Sequence, residues 1–195
     1  WSIAKLVIKY MHTHILLDPS YRWKSQARNH SIYHKIGTRR TINDVIQKIE
    51  ELGLPNNRLF DLLLGLDGCF ALIADTRDWL FASVDKIRSY PIFYYVSEKD
   101  LFISNSSRQL LNELAISDLD PVGLLEFRMA GFVTGRDTVF QDIHQLQAGE
   151  FLFLDKNNDK VEVDRYFKFT PDNKGLKCDR KYEEWLDELE VKTNT

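Results

Sequence analysis

The chain is poor in cysteine, proline and glycine, and it has no long hydrophobic run. Its 195 residues include 2 cysteines, 5 prolines and 9 glycines, so neither a disulfide framework nor a cysteine-rich zinc site is expected. No apolar stretch approaches the roughly 18 residues that suggest a membrane span. The opening segment 1–10 carries Lys5 and Lys9 and lacks the small-residue cleavage site of a signal peptide. A net charge of -3 provides no general attraction to nucleic acid or to an anionic membrane.

The rest of the composition is that of an ordinary globular protein. The small number of cysteines predicts a reducing, cytoplasmic compartment. With 44% hydrophobic residues, the chain is long enough for one domain with a substantial core and a short tail. Cys69 and Cys178 are far apart in the sequence. Because Cys69 lies within the apolar run Gly68–Ala74, we predict that it is a small buried hydrophobic residue with a structural role.

One segment has strong helical periodicity. Along residues 42–52 the apolar side chains fall on a single stripe, at Ile42, Val45, Ile46, Ile49 and Leu52. Thr41 and Asp44 form the pattern of a capping box before it, and Gly53 supplies a residue that ends it. Weaker patterns predict three more helices, over residues 58–64, 107–114 and 121–129. Residues 181–189 have a pattern that could begin another helix.

Short runs of aliphatic and aromatic residues, separated by polar turns, predict a succession of strands. They cover residues 14–18, 30–36, 69–74, 80–84, 92–96, 101–104, 150–154 and 161–167. The four runs between residues 69 and 104 indicate an antiparallel meander. Several strands are apolar at nearly every position, which is typical of a sheet covered on both faces. The chain is therefore predicted to be an α+β layered domain, and periodicity alone leaves its arrangement open.

Residues 66–71 read Leu-Asp-Gly-Cys-Phe-Ala, and residues 83–94 lead through an aspartate and a turn into Pro-Ile-Phe-Tyr. These segments resemble the glutaminase domain of asparagine synthetases, which has a Leu-x-Gly-x-Phe-Ala strand. Further pieces follow in the family's order, at residues 101–105, 131–133, 138–143, 145–150 and 165–167. Each piece is short, but their order and spacing hold over slightly more than half of the chain.

This resemblance implies the four-layer αββα fold of N-terminal-nucleophile hydrolases. It predicts an amidotransferase-like domain over residues 1–170, with 1–10 as an upstream extension, followed by a linker and the start of a C-terminal synthetase domain over 171–195. The synthetase domain of the same polypeptide would be the partner, with a homodimer left open. ATP and magnesium would belong to that domain, and none is expected in this one.

The chain departs from the family pattern at the positions that carry glutamine hydrolysis. In this family the nucleophile is a cysteine at the first residue, whose free α-amino group assists proton transfer. The chain begins with Trp1, and a start at Met11 would expose His12, so no catalytic residue is assigned. The strand end Tyr33–Gly37 lacks the family's Asn-Gly-Glu triplet, and Ile42 replaces the aspartate that binds the α-amino group of glutamine. We therefore expect a domain without glutaminase activity.

Family position alone nominates four substrate-binding residues: Asp85, Arg88, Ser104 and Asn105. Asp85 matches the aspartate at the end of a family strand. The arginine that precedes it in the family is Val84 here, and the turn glycine is Arg88. These departures weaken the match at the strand end itself.

Four histidines suggest a metal site as a weaker alternative. His12 and His14 would share one face of a strand, and His30 and His34 lie nearby in sequence. Because no acidic or cysteine ligand accompanies them at a diagnostic spacing, ordinary strand and loop histidines are the favoured interpretation, and no metal ligand is assigned.

Three functions remain open. The leading prediction is the front domain of an ATP-dependent amide-forming protein, in which it has a structural or docking role while the synthetase half uses free ammonia or another amine. Lasso-peptide cyclases and β-lactam synthetases are relatives that keep such a domain without glutaminase activity. The second is an active glutamine-hydrolysing domain whose terminal cysteine lies upstream of Trp1. The third is a stand-alone interaction module.

Overall fold

The computed structural model describes residues 11–37, 42–52 and 57–169. In this part of the chain the strands are β1 His12–Leu16, β2 Lys24–Arg28, β3 Ser31–Gly37, β4 Phe70–Asp75, β5 Trp79–Val84, β6 Phe93–Val96, β7 Asp100–Ser104, β8 His144–Gln145, β9 Glu150–Asp155 and β10 Lys160–Arg165. The helices are α1 Ile42–Leu52, α2 Asn57–Leu64, α3 Ser107–Leu114 and α4 Pro121–Ala130. None of these helices is long and apolar enough to cross a membrane.

The strands form two sheets. The larger has six strands in the order β10-β9-β5-β4-β3-β2, and all its neighbours are antiparallel. The smaller has four strands in the order β1-β7-β6-β8, in which β1 and β7 are parallel. Successive side chains of a strand point to opposite faces, so each sheet presents two distinct surfaces.

Two hydrophobic clusters divide the molecule into layers. One lies between the helix pair α1–α2 and the six-stranded sheet, around Ile46, Leu63 and Phe81. The other lies between the two sheets and joins residues such as Ile73 of β4 to Ile103 of β7. On its far side the four-stranded sheet is covered by α3, because the hydroxyl of Ser104, next to Ile103, donates to the Gln109 side chain. The order of layers is helix, sheet, sheet, helix.

This architecture confirms the α+β prediction, including sheets buried on both faces: β4, β5 and β9 are buried at nearly every position. Two strands were missed. β2 has the polar sequence Lys-Ser-Gln-Ala-Arg, which carries no strand signal, and β8 is only two residues long. The capping residue Thr41, the helix stop Gly53 and residues 170–195 lie outside the described residues.

The predicted single meander between residues 69 and 104 is wrong. β4 and β5 belong to the six-stranded sheet, whereas β6 and β7 belong to the other sheet. The connection 85–92 leads from one sheet to the other. The hairpins β4–β5 and β6–β7 are therefore adjacent in sequence but lie in different, stacked sheets. Sequence pattern shows where strands lie but not which sheet each one joins.

The prediction that Cys69 is buried is also wrong, since the residue is exposed. β4 begins one residue later, at Phe70, whose side chain is almost fully buried. Cys69 lies in the turn that precedes the strand. The apolar run Gly68–Ala74 therefore begins two turn residues before the buried strand that it indicates.

Candidate functional site at one end of the sandwich

The strand ends named by the resemblance gather at one end of the six-stranded sheet. β3 finishes at Gly37 directly opposite Phe70, the first residue of β4. β5 finishes at Val84, which pairs with Ala71, and Asp85 follows it. The positions to which the resemblance points are thus close together in the fold.

Asp85 holds this end together through its carboxylate. It is 2% exposed and accepts hydrogen bonds from the backbone N–H groups of Phe70, Ile87 and Ser89, at 2.9, 2.8 and 3.0 Å. Its own carbonyl accepts from the N–H of Gly149 at 2.9 Å. A buried carboxylate with three backbone donors fixes the path of the chain where it leaves β5 and crosses to the other sheet.

We expect Asp85→Asn to lower the free energy of unfolding by about 2 kcal/mol, because one carboxylate oxygen becomes an amide nitrogen that faces backbone N–H groups. Chemical denaturation of the wild type and the variant, monitored by circular dichroism, measures the difference in unfolding free energy. Asp67→Asn is the matched control, because Asp67 is exposed in the turn before β4. An equal loss in both variants would contradict a special role for the Asp85 carboxylate.

Arg88 connects the two sheets at the same end. It has a positive φ of 57°, at the position to which the resemblance assigns a turn glycine, and its Nη1 donates to Oε1 of Gln145 at 2.9 Å. Gln145 pairs with Phe93, and Phe93 pairs with Ser104 on the next strand. Strands are spaced by roughly 5 Å, so Ser104 lies about 10 Å from Gln145 across the sheet.

Ser104 is the last residue of β7, and Asn105 follows it before α3 begins. The Ser104 hydroxyl donates to Oε1 of Gln109 at 3.1 Å and accepts from the N–H of Ser106 at 3.0 Å. Oδ1 of Asn105 accepts from the N–H of Asp18 at 2.8 Å, and this contact ties the chain after β1 to the end of β7. Nδ2 of Asn105 is buried and has no hydrogen-bond partner within the described residues.

A cavity of about 470 Å³ lies beside these residues, between the end of β1 and α3. Such a volume falls within the usual range for small-molecule sites. Its lining comprises Ile15, Leu16, Leu17, Gln109, Asn112 and Glu113. Gln109 is shared between the cavity wall and the hydrogen bond from Ser104. The lining mixes aliphatic, amide and carboxylate groups, and it includes no cysteine, serine or threonine that could act as a nucleophile.

An ion-pair network of Glu150, Arg136 and Arg165 lies at the start of β9 and the end of β10. The Glu150 carboxylate is almost fully buried and accepts from Arg136 at 3.1 Å twice, from Arg165 at 2.9 Å and from the N–H of Gln147 at 2.9 Å. Burial alone would raise the pKa of Glu150, but these hydrogen bonds outweigh it and hold the pKa below its usual value. The network joins β9 and β10 to the segment that follows α4.

Ile42 occupies the position where the resemblance expects the aspartate that binds the substrate amine. It is the first residue of α1 and packs, partly buried, against the hydrophobic cluster beneath that helix. Lys35 lies nearby on β3, 4% exposed, with its Nζ donating to the carbonyl of Gly37 at 3.0 Å. Burial, reinforced by repulsion from Lys24 and opposed by attraction to Asp44 in the first turn of α1, lowers the pKa of Lys35. The position that the resemblance assigns to the amine-binding aspartate is therefore aliphatic.

The histidines do not converge. His12 and His14 are on β1 of the four-stranded sheet, whereas His34 is on β3 of the six-stranded sheet. His14 stacks on Phe102 at 4.2 Å and contacts Asp100, and burial lowers the pKa of His34. The described residues contain no group of three or more histidine, cysteine or acidic side chains arranged to hold a metal ion.

The structure also uses residues that the sequence did not single out, namely Gln145, Gln109 and the Glu150 network. Gln145 is 57 residues from Arg88 in sequence, so no local pattern links them. One sequence signal for the Glu150 network was available. Glu150 begins β9 and Arg165 ends β10, and the two residues pair because the strands are antiparallel.

The order of the layers defines an α+β sandwich protein, and the candidate site lies at one end of its stacked sheets. Residues 42–167 match the family model described as the glutamine amidotransferase domain. This match covers more than half of the chain, so the chain belongs to the glutamine amidotransferase domain family.

Two solved structures also align with the chain. The glutamine phosphoribosylpyrophosphate amidotransferase from B. subtilis, complexed with ADP and GMP, is 11% identical with a TM-score of 0.43 over 74% of this chain and 31% of that one. The allosteric regulatory enzyme of purine biosynthesis is 10% identical with a TM-score of 0.33 over 73% of this chain and 30% of that one. The chain spans about three tenths of the length of these structures. No curated protein matches its sequence.

Proposed function

We propose that this glutamine amidotransferase domain does not hydrolyse glutamine and is the front, docking domain of an ATP-dependent amide-forming protein related to asparagine synthetase. The downstream domain would bind ATP and magnesium and would take its amine from solution. The segment resemblance over residues 66–167 supports the asparagine-synthetase context, and the family match supports the amidotransferase ancestry.

The environment of Ile42 is the observation that carries the loss of activity. A free glutamine zwitterion presents an ammonium group, which needs an anionic or strongly hydrogen-bonding partner when it leaves water. At the position that the resemblance assigns to that partner, the aliphatic side chain of Ile42 packs, partly buried, against the core. An aliphatic group supplies neither a negative charge nor a hydrogen-bond acceptor, so it would oppose binding of the substrate amine.

The four nominated residues support the same interpretation, because each of them has a side-chain hydrogen bond within the scaffold, although Nδ2 of Asn105 has no partner among the described residues. The Asp85 carboxylate binds three backbone N–H groups, and Arg88 donates to Gln145. Ser104 and Asn105 tie β7 to α3 and to the chain after β1. We propose that these residues keep the family fold after the catalytic function has been lost. Their role in substrate binding stays a prediction.

The test is covalent capture by a glutamine analogue. The full polypeptide is incubated with 6-diazo-5-oxonorleucine, intact mass is measured, and glutamate release from glutamine is followed in parallel. We expect no adduct and no glutamate above the rate without protein. A Cys69→Ser, Cys178→Ser double variant is the control for adventitious thiols.

Each outcome distinguishes the alternatives. An adduct that persists in the double variant, together with glutamate release, means that another cysteine is active and overturns the proposal in favour of a working glutaminase. An adduct that disappears in the double variant, without glutamate release, reports only the exposed Cys69 or Cys178. If the full polypeptide consumes no ATP with any acid and amine mixture, the docking role fails and a stand-alone interaction module is favoured.

A further inference from the structure

Helix α4 presents an apolar face that nothing in the described residues covers. Val122, Leu125 and Met129 are spaced by three and four residues, so they share one side of the helix, and they are 65%, 58% and 79% exposed. We call these three residues the α4 face. Leu119 before the helix and Phe132 after it are exposed as well. Exposed apolar surface of this extent marks an interaction site.

The α4 face is turned away from the domain, because the opposite side of the helix is fixed. Gly123 is buried against the backbone of Thr138, where a β-carbon would lie 2.4 Å from the carbonyl oxygen. The Glu126 carboxylate accepts hydrogen bonds from the N–H and the hydroxyl of Thr134, each at 2.8 Å. Gly123, Leu124 and Glu126 are the residues of α4 that are not exposed, so the rest of the helix stands clear of the domain surface.

Charges of opposite sign lie at the two ends of the α4 face. Arg128 is exposed in the last turn of the helix, whereas Asp118 and Asp142 are exposed near its start. The two aspartates are neighbours, because the carbonyl of Asp118 accepts from the N–H of Gln141. None of the three charged side chains makes a hydrogen bond or an ion pair within the described residues. Each end of the face therefore carries a charge that its own chain does not balance.

A cavity of about 330 Å³ opens at the acidic end, beside the first residue of α4. Its lining includes Pro121 and the carboxylates of Asp120, Asp137 and Asp142. The basic group of the lining is His144, whose Nδ1 already contacts Asp137 at 3.0 Å. Carboxylates bind a guanidinium group through paired, charge-assisted hydrogen bonds. The acidic end is therefore suited to an arginine side chain that comes from outside the domain.

The apolar surface is large enough for a stable contact between two copies of the chain. An aromatic side chain covers roughly 150–250 Å² in full and an aliphatic one somewhat less, so the α4 face with Leu119 and Phe132 presents on the order of 500 Å². Homodimer interfaces are about 65% apolar, so this surface corresponds to roughly 800 Å² per copy once a polar rim is included. That is the usual size of a specific interface.

We propose that two copies of the chain pair through the α4 face, with their two α4 helices antiparallel about a twofold axis. An antiparallel pair puts the last turn of each helix beside the start of the other, so Arg128 of each copy meets Asp118 and Asp142 of its partner. A parallel pair would bring like charges together. This inference does not rest on the proposed loss of glutaminase activity, since it concerns a surface on another element.

Sedimentation equilibrium of the full polypeptide tests the apolar contact. We expect the wild type to form dimers, and Leu125→Glu to raise the dimer dissociation constant at least tenfold, because each copy would bury an unpaired carboxylate. Ile87→Glu is the matched control, since Ile87 is 75% exposed on the 85–92 connection and should leave the constant unchanged within twofold. Circular dichroism establishes that each variant is folded.

Charge reversal tests the antiparallel arrangement. Arg128→Glu places like charges at both contacts of the dimer, and so does the double variant Asp118→Lys, Asp142→Lys. We expect each to raise the dissociation constant at least tenfold. An equal mixture of the two variants restores opposite charges at both contacts of a mixed dimer, so it should associate within threefold of the wild-type affinity. Arg77→Glu, exposed in the turn between β4 and β5, is the control for net charge.

Three outcomes would overturn the proposal. A wild type that stays monomeric would do so, and slow hydrogen exchange of the α4 amides in that monomer would assign the α4 face to another domain of the same polypeptide. A dimer that Leu125→Glu leaves intact would place the interface elsewhere on the chain. A mixture of the two charge variants that does not recover affinity, with both variants folded, would exclude the antiparallel pairing.

Discussion

Gly37→Ala is expected to lower the free energy of unfolding by at least about 4 kcal/mol, which places it among the most damaging single substitutions. Gly37 has a φ of 68°, where an L-residue costs roughly 1–2 kcal/mol. In addition, an added β-carbon would lie 1.9 Å from the carbonyl oxygen of Cys69 and 2.9 Å from the Tyr90 ring. The oxygen belongs to the backbone that begins β4, so β3 and β4 would have to separate at the candidate site.

Gly68→Ala is the matched control for this prediction. Gly68 has a φ of 79° and lies one residue before Cys69, but a β-carbon there would meet no atom within 4 Å. Only the conformational cost applies, so we expect a loss of about 1–2 kcal/mol. Urea unfolding monitored by circular dichroism measures both variants. A Gly37→Ala protein no less stable than Gly68→Ala would show that the close approach at the strand ends does not exist.

Glu150→Gln is expected to cost about 3 kcal/mol at pH 7. The carboxylate is 2% exposed and receives donors from Arg136, Arg165 and the Gln147 backbone, and a neutral amide cannot satisfy all of them. Glu162→Gln on the neighbouring strand β10 is the control, because its pairing with Lys160 is exposed and is worth about 0–1 kcal/mol.

The Glu150 contribution should also depend on pH with a defined sign. The folded-state pKa of Glu150 is lowered, so its ionisation stabilises the fold above the unfolded value of about 4.3. That stability is lost as the pH falls through the folded-state pKa. We expect the difference in unfolding free energy between wild type and Glu150→Gln to be constant above about pH 6 and to shrink below about pH 4. A difference that grows on acidification would contradict the assignment.

Much of the fold follows from sequence pattern. The stripe from Ile42 to Leu52 predicted α1 with its full bounds, and β4, β5 and β9 were indicated by runs of apolar residues that the structure buries on both faces. Local signals of this kind are reliable because periodicity and burial are read directly from neighbouring residues. The polar strand β2 and the two-residue strand β8 lack such signals. These two strands form because they pair with β3 and β6, respectively.

The candidate site was predictable only as a set of positions. The resemblance named Asp85, Arg88, Ser104 and Asn105, but it could not indicate that each of them binds other parts of the scaffold. It also gave no sign of the Glu150 network, which depends on the register between β9 and β10. Hydrogen-bond partners that are distant in sequence are fixed by topology.

The sequence by itself determined the class of fold and most of the strands and helices, and it predicted an isoleucine at the position where the resemblance expects the residue that binds the substrate amine. Only the tertiary structure decided that the segment between residues 69 and 104 divides between two sheets, that Cys69 is exposed, and that α4 turns an apolar face outward. The physical reason is the range of the interactions. Periodicity records which side of an element is apolar, whereas long-range packing chooses the surface that covers it.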